Sequence, residues 1–141
     1  SGARLAFPIY CAALAKAYGE IDEPEQGLKL LDEVLNFVEE TSEYLMKAEL
    51  HRLKGHLLLL QTQSNSAEAE RWFRNAIDLA RDQQAKSWEL RATTSLARLL
   101  RDTDRREEAR AMLSEIYNWF TEGFDTADLK DAKALLDAPS N

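Results

Sequence analysis

What the chain has little of narrows its possibilities first. A single cysteine, Cys11, excludes an internal disulfide framework and any zinc site built on several thiolates. Five glycines and three prolines are too few for the many turns of an all-β chain. No apolar run approaches the roughly 20 residues that span a bilayer, so no membrane segment is expected. Positive charge is also scarce: 18 Lys and Arg stand against 25 Asp and Glu, for a net charge of -7 and a pI near 4.9. That balance argues against duplex nucleic acid as a partner, because phosphates demand a strong basic stripe. Nothing of the form G-x-x-x-x-G-K-[ST] occurs, so no phosphate-cradling loop is present. The apolar stretch Leu5–Ala15 lacks the basic lead of a signal peptide and is interrupted by Pro8. What is left is one cytoplasmic domain over residues 1–141, 45% hydrophobic and 30% charged, without a cofactor. Beginning at Ser1, it reads as a piece of a longer protein.

Start and stop signals divide the chain into seven helices. Gly19 closes the first, and Asp22-Glu23-Pro24-Glu25 reads as a capping box with Pro24 in the first turn of the second. Leu28, Leu31, Val34, Leu35 and Val38 then recur at the 3.6-residue period. Thr41 and Ser42 offer caps for a third helix and Ser66 for a fourth. Gln83–Lys86 marks a weak break, and Asp104-Arg105-Arg106-Glu107 a second capping box. Glu122-Gly123-Phe124 looks like a glycine-terminated helix end, and Thr126 like the cap of a last helix bearing Leu129, Ala132 and Leu136. Strand-like alternation is absent, so the expected fold is all-α.

The even helices repeat one another. Gly27/Leu31/Val34, Ala69/Phe73/Ala76 and Ala109/Leu113/Ile116 share a small, large, apolar spacing. Each follows a helix with its own signature: Leu14-Ala15-x-x-Tyr18, Gly55-x-x-Leu58 and Leu96-Ala97-x-x-Leu100. The expectation is an α-solenoid of three helix pairs, about 3–40, 42–83 and 86–122, with a capping helix over 126–137. Over residues 8 to about 121 this pattern resembles the tetratricopeptide repeat (TPR), whose second helix carries A-x-x-x-F-x-x-A. It departs in its spacing of about 41 residues where 34 is usual. Val34 and Ile116 also replace a small residue, and no closing proline occurs. A narrower resemblance rests on Leu14-Ala15-x-Ala17-Tyr18-Gly19, Ala48–Gly55, Ala92–Leu99 and, above all, Tyr117-x-Trp119-Phe120-Thr121-Glu122-Gly123-Phe124-Asp125-Thr126-x-Asp128-Leu129-Lys130. These stretches look like the C-terminal TPR region of large bacterial signalling ATPases of the adenylate cyclase-linked or transcriptional-regulator type. That resemblance implies a regulatory interaction module whose chemistry lies in other domains of the parent chain.

Catalytic patterns are missing from the residues themselves. His51 and His56 lie five apart on one helix and do not share a metal. Cys11 reads as a small core thiol, and the aromatics Trp72, Phe73, Trp88, Tyr117, Trp119 and Phe120 as core. Aligning Ala15, Gly55 and Ala97 places Lys16, Arg52, His56, Arg91, Thr94, Arg98 and Arg101 along one concave groove. Ile9, Ala12, Glu20, Glu49, Leu59 and Asp102 accompany them. Basic residues outnumber acidic ones there, so a protein or an acidic peptide is the expected partner. The competing reading is a structural spacer whose arginines pair with neighbours such as Glu49. The first helix is apolar nearly all round, with Lys16 its only charge between Leu5 and Tyr18. Leu5, Phe7 and Ile9 are therefore expected to mediate a homodimer.

Overall fold

A computed structural model describes residues 2–41 and 46–139, with side chains from 8 to 38 and from 46 to 139. Among the described residues there are seven α-helices and no strand. They are α1 (Gly2–Glu20), α2 (Pro24–Thr41), α3 (Lys47–Gln61), α4 (Ser66–Asp82), α5 (Lys86–Asp102), α6 (Arg106–Tyr117) and α7 (Ala127–Asp137). The helices pair as α1·α2, α3·α4 and α5·α6, and each pair stacks on the next through α2·α3 and α4·α5. The first helices of the pairs also touch in sequence, α1·α3 and α3·α5, while α7 lies across α5 and α6. This all-helical stack has the architecture of an α-solenoid.

Small residues set the spacing inside the pairs. A Cβ on Gly27 of α2 would lie 3.0 Å from the Ala15 carbonyl oxygen of α1. One on Gly55 of α3 would lie 2.7 Å from the Phe73 ring and 3.1 Å from the Ala69 carbonyl of α4. Leu31, Val34, Val38, Leu50 and Leu57 fill the core of the first half. Phe73, Leu90, Leu96, Leu100 and Leu113 fill that of the second, and Leu28 packs against both.

The helix ends differ from the sequence reading in an informative way. Asp22, Gln84 and Asp104 adopt left-handed φ values of 62°, 56° and 65°. Just beyond them, Glu23, Ala85 and Arg105 donate their backbone N–H to the carbonyls of Tyr18, Ala80 and Leu100, five residues back. These are the bonds of a Schellman end. Asp22 and Asp104 thus close the helix behind them and do not cap the helix ahead. Gly19 sits inside the last turn of α1, where it admits Leu57. α2 runs on to Thr41 and α3 begins at Lys47 behind Met46, so Thr41 is no cap. Ser42 lies outside the described residues. Ser66 opens α4 from within, its hydroxyl donating to the Gln63 carbonyl. α6 ends at Tyr117, so Gly123, at φ 78°, turns the loop that leads to α7 and does not end a helix. Thr126 does precede α7, but without a side-chain cap bond.

Gln84 is the least suited of the three left-handed residues, because it lacks the short polar side chain that lets Asp bond locally. Gln84→Gly is expected to stabilise the fold by about 0.5–1 kcal/mol. In a domain of this size that raises the melting temperature by roughly 2–4 °C. A lower melting temperature in calorimetry would show that the exposed Gln84 side chain contributes more than its backbone costs.

Candidate functional site

The concave side of the stack holds a cleft of about 480 Å³. Ala12 and Lys16 come from α1; Met46 precedes α3, which adds Glu49, Arg52 and His56. From α5 come Arg91, Thr94, Ser95 and Arg98, and Asp128 and Asp131 of α7 close one side. The helical register explains the convergence. Lys16, His56 and Arg98 each follow by one residue the small position that packs on the second helix of the pair, so they turn toward the same face. Six of the seven groove residues read from the sequence therefore line one surface. Arg101 does not. It lies three residues beyond Arg98, in an adjoining recess with Asp102, Arg106 and Leu135, and donates to the Pro139 carbonyl at 3.4 Å. Arg98 borders both hollows.

An ion-pair chain holds the floor of the cleft. Arg52 grips Glu49 with two bonds, Nε to Oε2 at 3.0 Å and Nη2 to Oε1 at 2.6 Å. Arg91 reaches the same Glu49 Oε1 at 3.3 Å and grips Asp128 through Nη2 to Oδ2 at 2.9 Å. Arg52 also approaches the Ser95 hydroxyl at 3.4 Å. The chain ties α3 to α5 and α5 to α7, and Glu49 at its centre is buried. Thr94, buried as well, donates to the Leu90 carbonyl at 2.8 Å and presents no free hydroxyl proton to the cleft. Lys16 and Arg98 differ from these arginines: among the described residues no carboxylate pairs with either.

His56 stands between these charges. Desolvation in the concave wall lowers its pKa below the ordinary histidine value, and the positive charges of Arg52, Arg98 and Lys16 lower it further. These surroundings favour its neutral form. Glu49, Asp128 and Asp131 bring negative charge to the same cleft, so the basic excess is smaller than the sequence suggests. Asp128 and Asp131 escaped the repeat register because α7 lies outside it.

A larger hollow, about 830 Å³, opens between α6 and α7 over Ala97, Ala109 and Leu113. Three of its four arginines, Arg101, Arg105 and Arg110, are engaged with neighbours, while the buried Nε of Arg106 has no hydrogen-bond partner among the described residues. Arg105 pairs with Glu70 and Glu108, and Arg110 donates both terminal nitrogens to the Leu136 carbonyl at 2.9 Å. The hollow follows the seam between α6 and α7.

Elsewhere, Cys11 is buried, and burial first and Glu33 second raise its pKa, so it is a protonated core thiol at neutral pH. His51 packs its ring 4.8 Å from that of Trp72. Phe73 is core, but Trp119 is not: it is exposed, edge-on to Phe120 at 5.1 Å with Lys86 Nζ 5.6 Å over its ring. Of the residues expected to mediate self-association, Ile9 is exposed, while the side chains of Leu5 and Phe7 lie outside the described residues. No group of three or more metal-ligating side chains occurs among the described residues, and none of the helices searched is long and apolar enough to cross a membrane. Comparison with protein-family models, with curated proteins and with solved structures gave no match.

Proposed function

We propose that this chain is a non-catalytic protein–protein interaction module whose concave cleft takes an acidic peptide or acidic helix of a partner. The observation that carries the reading is the contrast within the cleft. Arg52 and Arg91 are neutralised by Glu49 and Asp128, while Lys16 and Arg98 face the open space without a carboxylate. In a protein of net charge -7, two uncompensated cations on one concave wall are a specific feature, and they would steer an acidic segment into place. The TPR-like sequence pattern supports the same class of function. The stretch Tyr117–Lys130 supports a setting in the cytoplasm of a bacterium, as the regulatory region of a signalling ATPase or adenylate cyclase. A structural spacer without ligand is the second reading, favoured by the ion-pair chain that consumes half of the cleft's basic residues.

Binding of a labelled Glu-rich peptide separates the two. Lys16→Glu with Arg98→Glu is expected to weaken binding about tenfold or more, the effect of ~1.4 kcal/mol. Folding stability should stay within about 0.5 kcal/mol, as for exposed charge changes generally. Unchanged affinity in the double variant, or no binding by the parent chain, would leave the spacer reading. The pH dependence adds an internal control. An acidic ligand opposes the three cations around His56 and raises its pKa, so binding takes up a proton. Affinity should therefore rise as pH falls below the ordinary histidine range toward the lowered pKa of His56 in the free chain, and His56→Ala should flatten that slope.

A further inference from the structure

The three pairs allow one face of the stack to be compared with itself. Aligned through Ala15, Gly55 and Ala97, the positions of Tyr10, Leu14 and Ala17 in α1 correspond to Leu50, Lys54 and Leu57 in α3 and to Ala92, Leu96 and Leu99 in α5. In α3 this face meets the preceding pair. Leu57 lies so close to Gly19 and Gly27 that a Cβ on either would stand 2.7 or 2.8 Å from it. Lys54 reaches back to Asp32 of α2 at 2.6 Å. In α5 the face is closed: Ala92 is 1% exposed, Leu96 0% and Leu99 4%. In α1 it is open, with Tyr10 75% exposed, Leu14 42% and Ile21, one turn beyond Ala17, 67%.

Tyr10, Leu14 and Ala17 of α1, with Ile21 just past its end and still bonded by its N–H to the Ala17 carbonyl, fall within about 60° of arc at ~100° per residue, and none carries charge. Ile9 lies outside that arc. The order along the stripe is large, large, small, large, and it is self-complementary in an antiparallel crossing. When Leu14 of one chain faces Ala17 of a second copy, Ala17 faces Leu14 in return, and Tyr10 and Ile21 meet at both ends. We propose that this stripe of α1 is a two-fold interface that binds a second copy of the chain, which covers in α1 the apolar face that α3 and α5 bury within the stack. A site with the same surface on both partners is what a two-fold axis requires. Three helical turns make it smaller than a standard interface of about 800 Å² per partner, so the dimer is concentration-dependent. The surface is separate from the cleft, and its test does not depend on ligand binding.

Sedimentation equilibrium at tens of micromolar reads the outcome. The parent chain should dimerise. Leu14→Glu alone and Ala17→Lys alone should each give monomers, because each buries two unpaired charges in the homodimer. An equimolar mixture of the two variants should dimerise again, since the crossing places the introduced carboxylate against the introduced ammonium once and restores the native Leu–Ala contact on the other side. Both positions are exposed in the single chain, so its helicity should not change. A parent chain that stays monomeric overturns the proposal, as do variants that dimerise as well as the parent. Failure of the mixture to reassociate overturns the antiparallel register.

Discussion

Cutting the chain after Gly123 is expected to cost the fold about 4 kcal/mol or more, the scale of losing one or two large core side chains. The cut removes α7, the one helix outside the three pairs. α7 buries Leu129 and Ala132 against α5 and α6, and Leu135 and Leu136 pack at the margin of the same core. It also supplies Asp128 to Arg91 and the Leu136 carbonyl to Arg110. Without it, Leu113 and Leu100 lose part of their cover, and Arg91 keeps only its long bond to Glu49. Urea unfolding should show the loss, and light scattering should show association of the truncated chain through its bared apolar surface. Leu129→Ala isolates the packing share, at about 2–4 kcal/mol. If the truncated chain melted like the parent, α7 would be a passenger on a core that closes without it.

The helices themselves were legible because their signals are local. The 3.6-residue spacing from Leu28 to Val38 and the small, large, apolar triplets depend only on residues a turn apart, and each triplet lies on one core-facing side. Their boundaries were less so. An Asp three residues before a Glu reads the same whether the Asp caps the next helix or closes the previous one in a left-handed turn, and Asp22 and Asp104 do the second. Trp119 shows the same limit. Its spacing from Tyr117 and Ile116 suits a core, but the helix has ended before it, and the side chain turns outward.

The cleft was legible only where the repeat carried the information. Lys16, His56 and Arg98 follow equivalent small residues, so one register places all three. Arg101 lies on the same helix nearly one turn further toward its C-terminal end, where it lines the adjoining recess with Asp102 and Leu135. The carboxylates were harder. Glu49 was placed in the groove from its register, yet its double role between Arg52 and Arg91 depends on the distance between α3 and α5. Asp128 is half-buried in an ion pair with Arg91, a placement that depends on how α7 crosses α5, which nothing in the sequence fixes. Free and neutralised arginines are alike in sequence; only the fold separates Arg98 from Arg91.

That distinction makes Glu49 the most informative single position. Glu49→Gln keeps the size of the side chain and removes its charge. It is expected to destabilise the fold by about 2–4 kcal/mol, since breaking a buried ion pair leaves its partners uncompensated. Arg52, with a side chain only 17% exposed, loses one of the two acceptor oxygens of its bidentate grip and the charge that balances it, and Asp128 becomes the only carboxylate paired with Arg91. The same change leaves the cleft one positive charge richer. If the cleft receives acidic segments, affinity for the Glu-rich peptide should therefore rise even as the melting temperature falls. Arg52→Leu with Glu49→Leu supplies the control. It removes both charges together, should recover much of the lost stability because no unpaired ion remains, and should leave affinity near that of the parent, since the net charge of the cleft is unchanged. A Glu49→Gln chain that loses stability and affinity together would mean that Glu49 shapes the cleft. One that loses stability and gains affinity would mean that the ion-pair chain holds the helices in place by masking charge that a partner would otherwise meet.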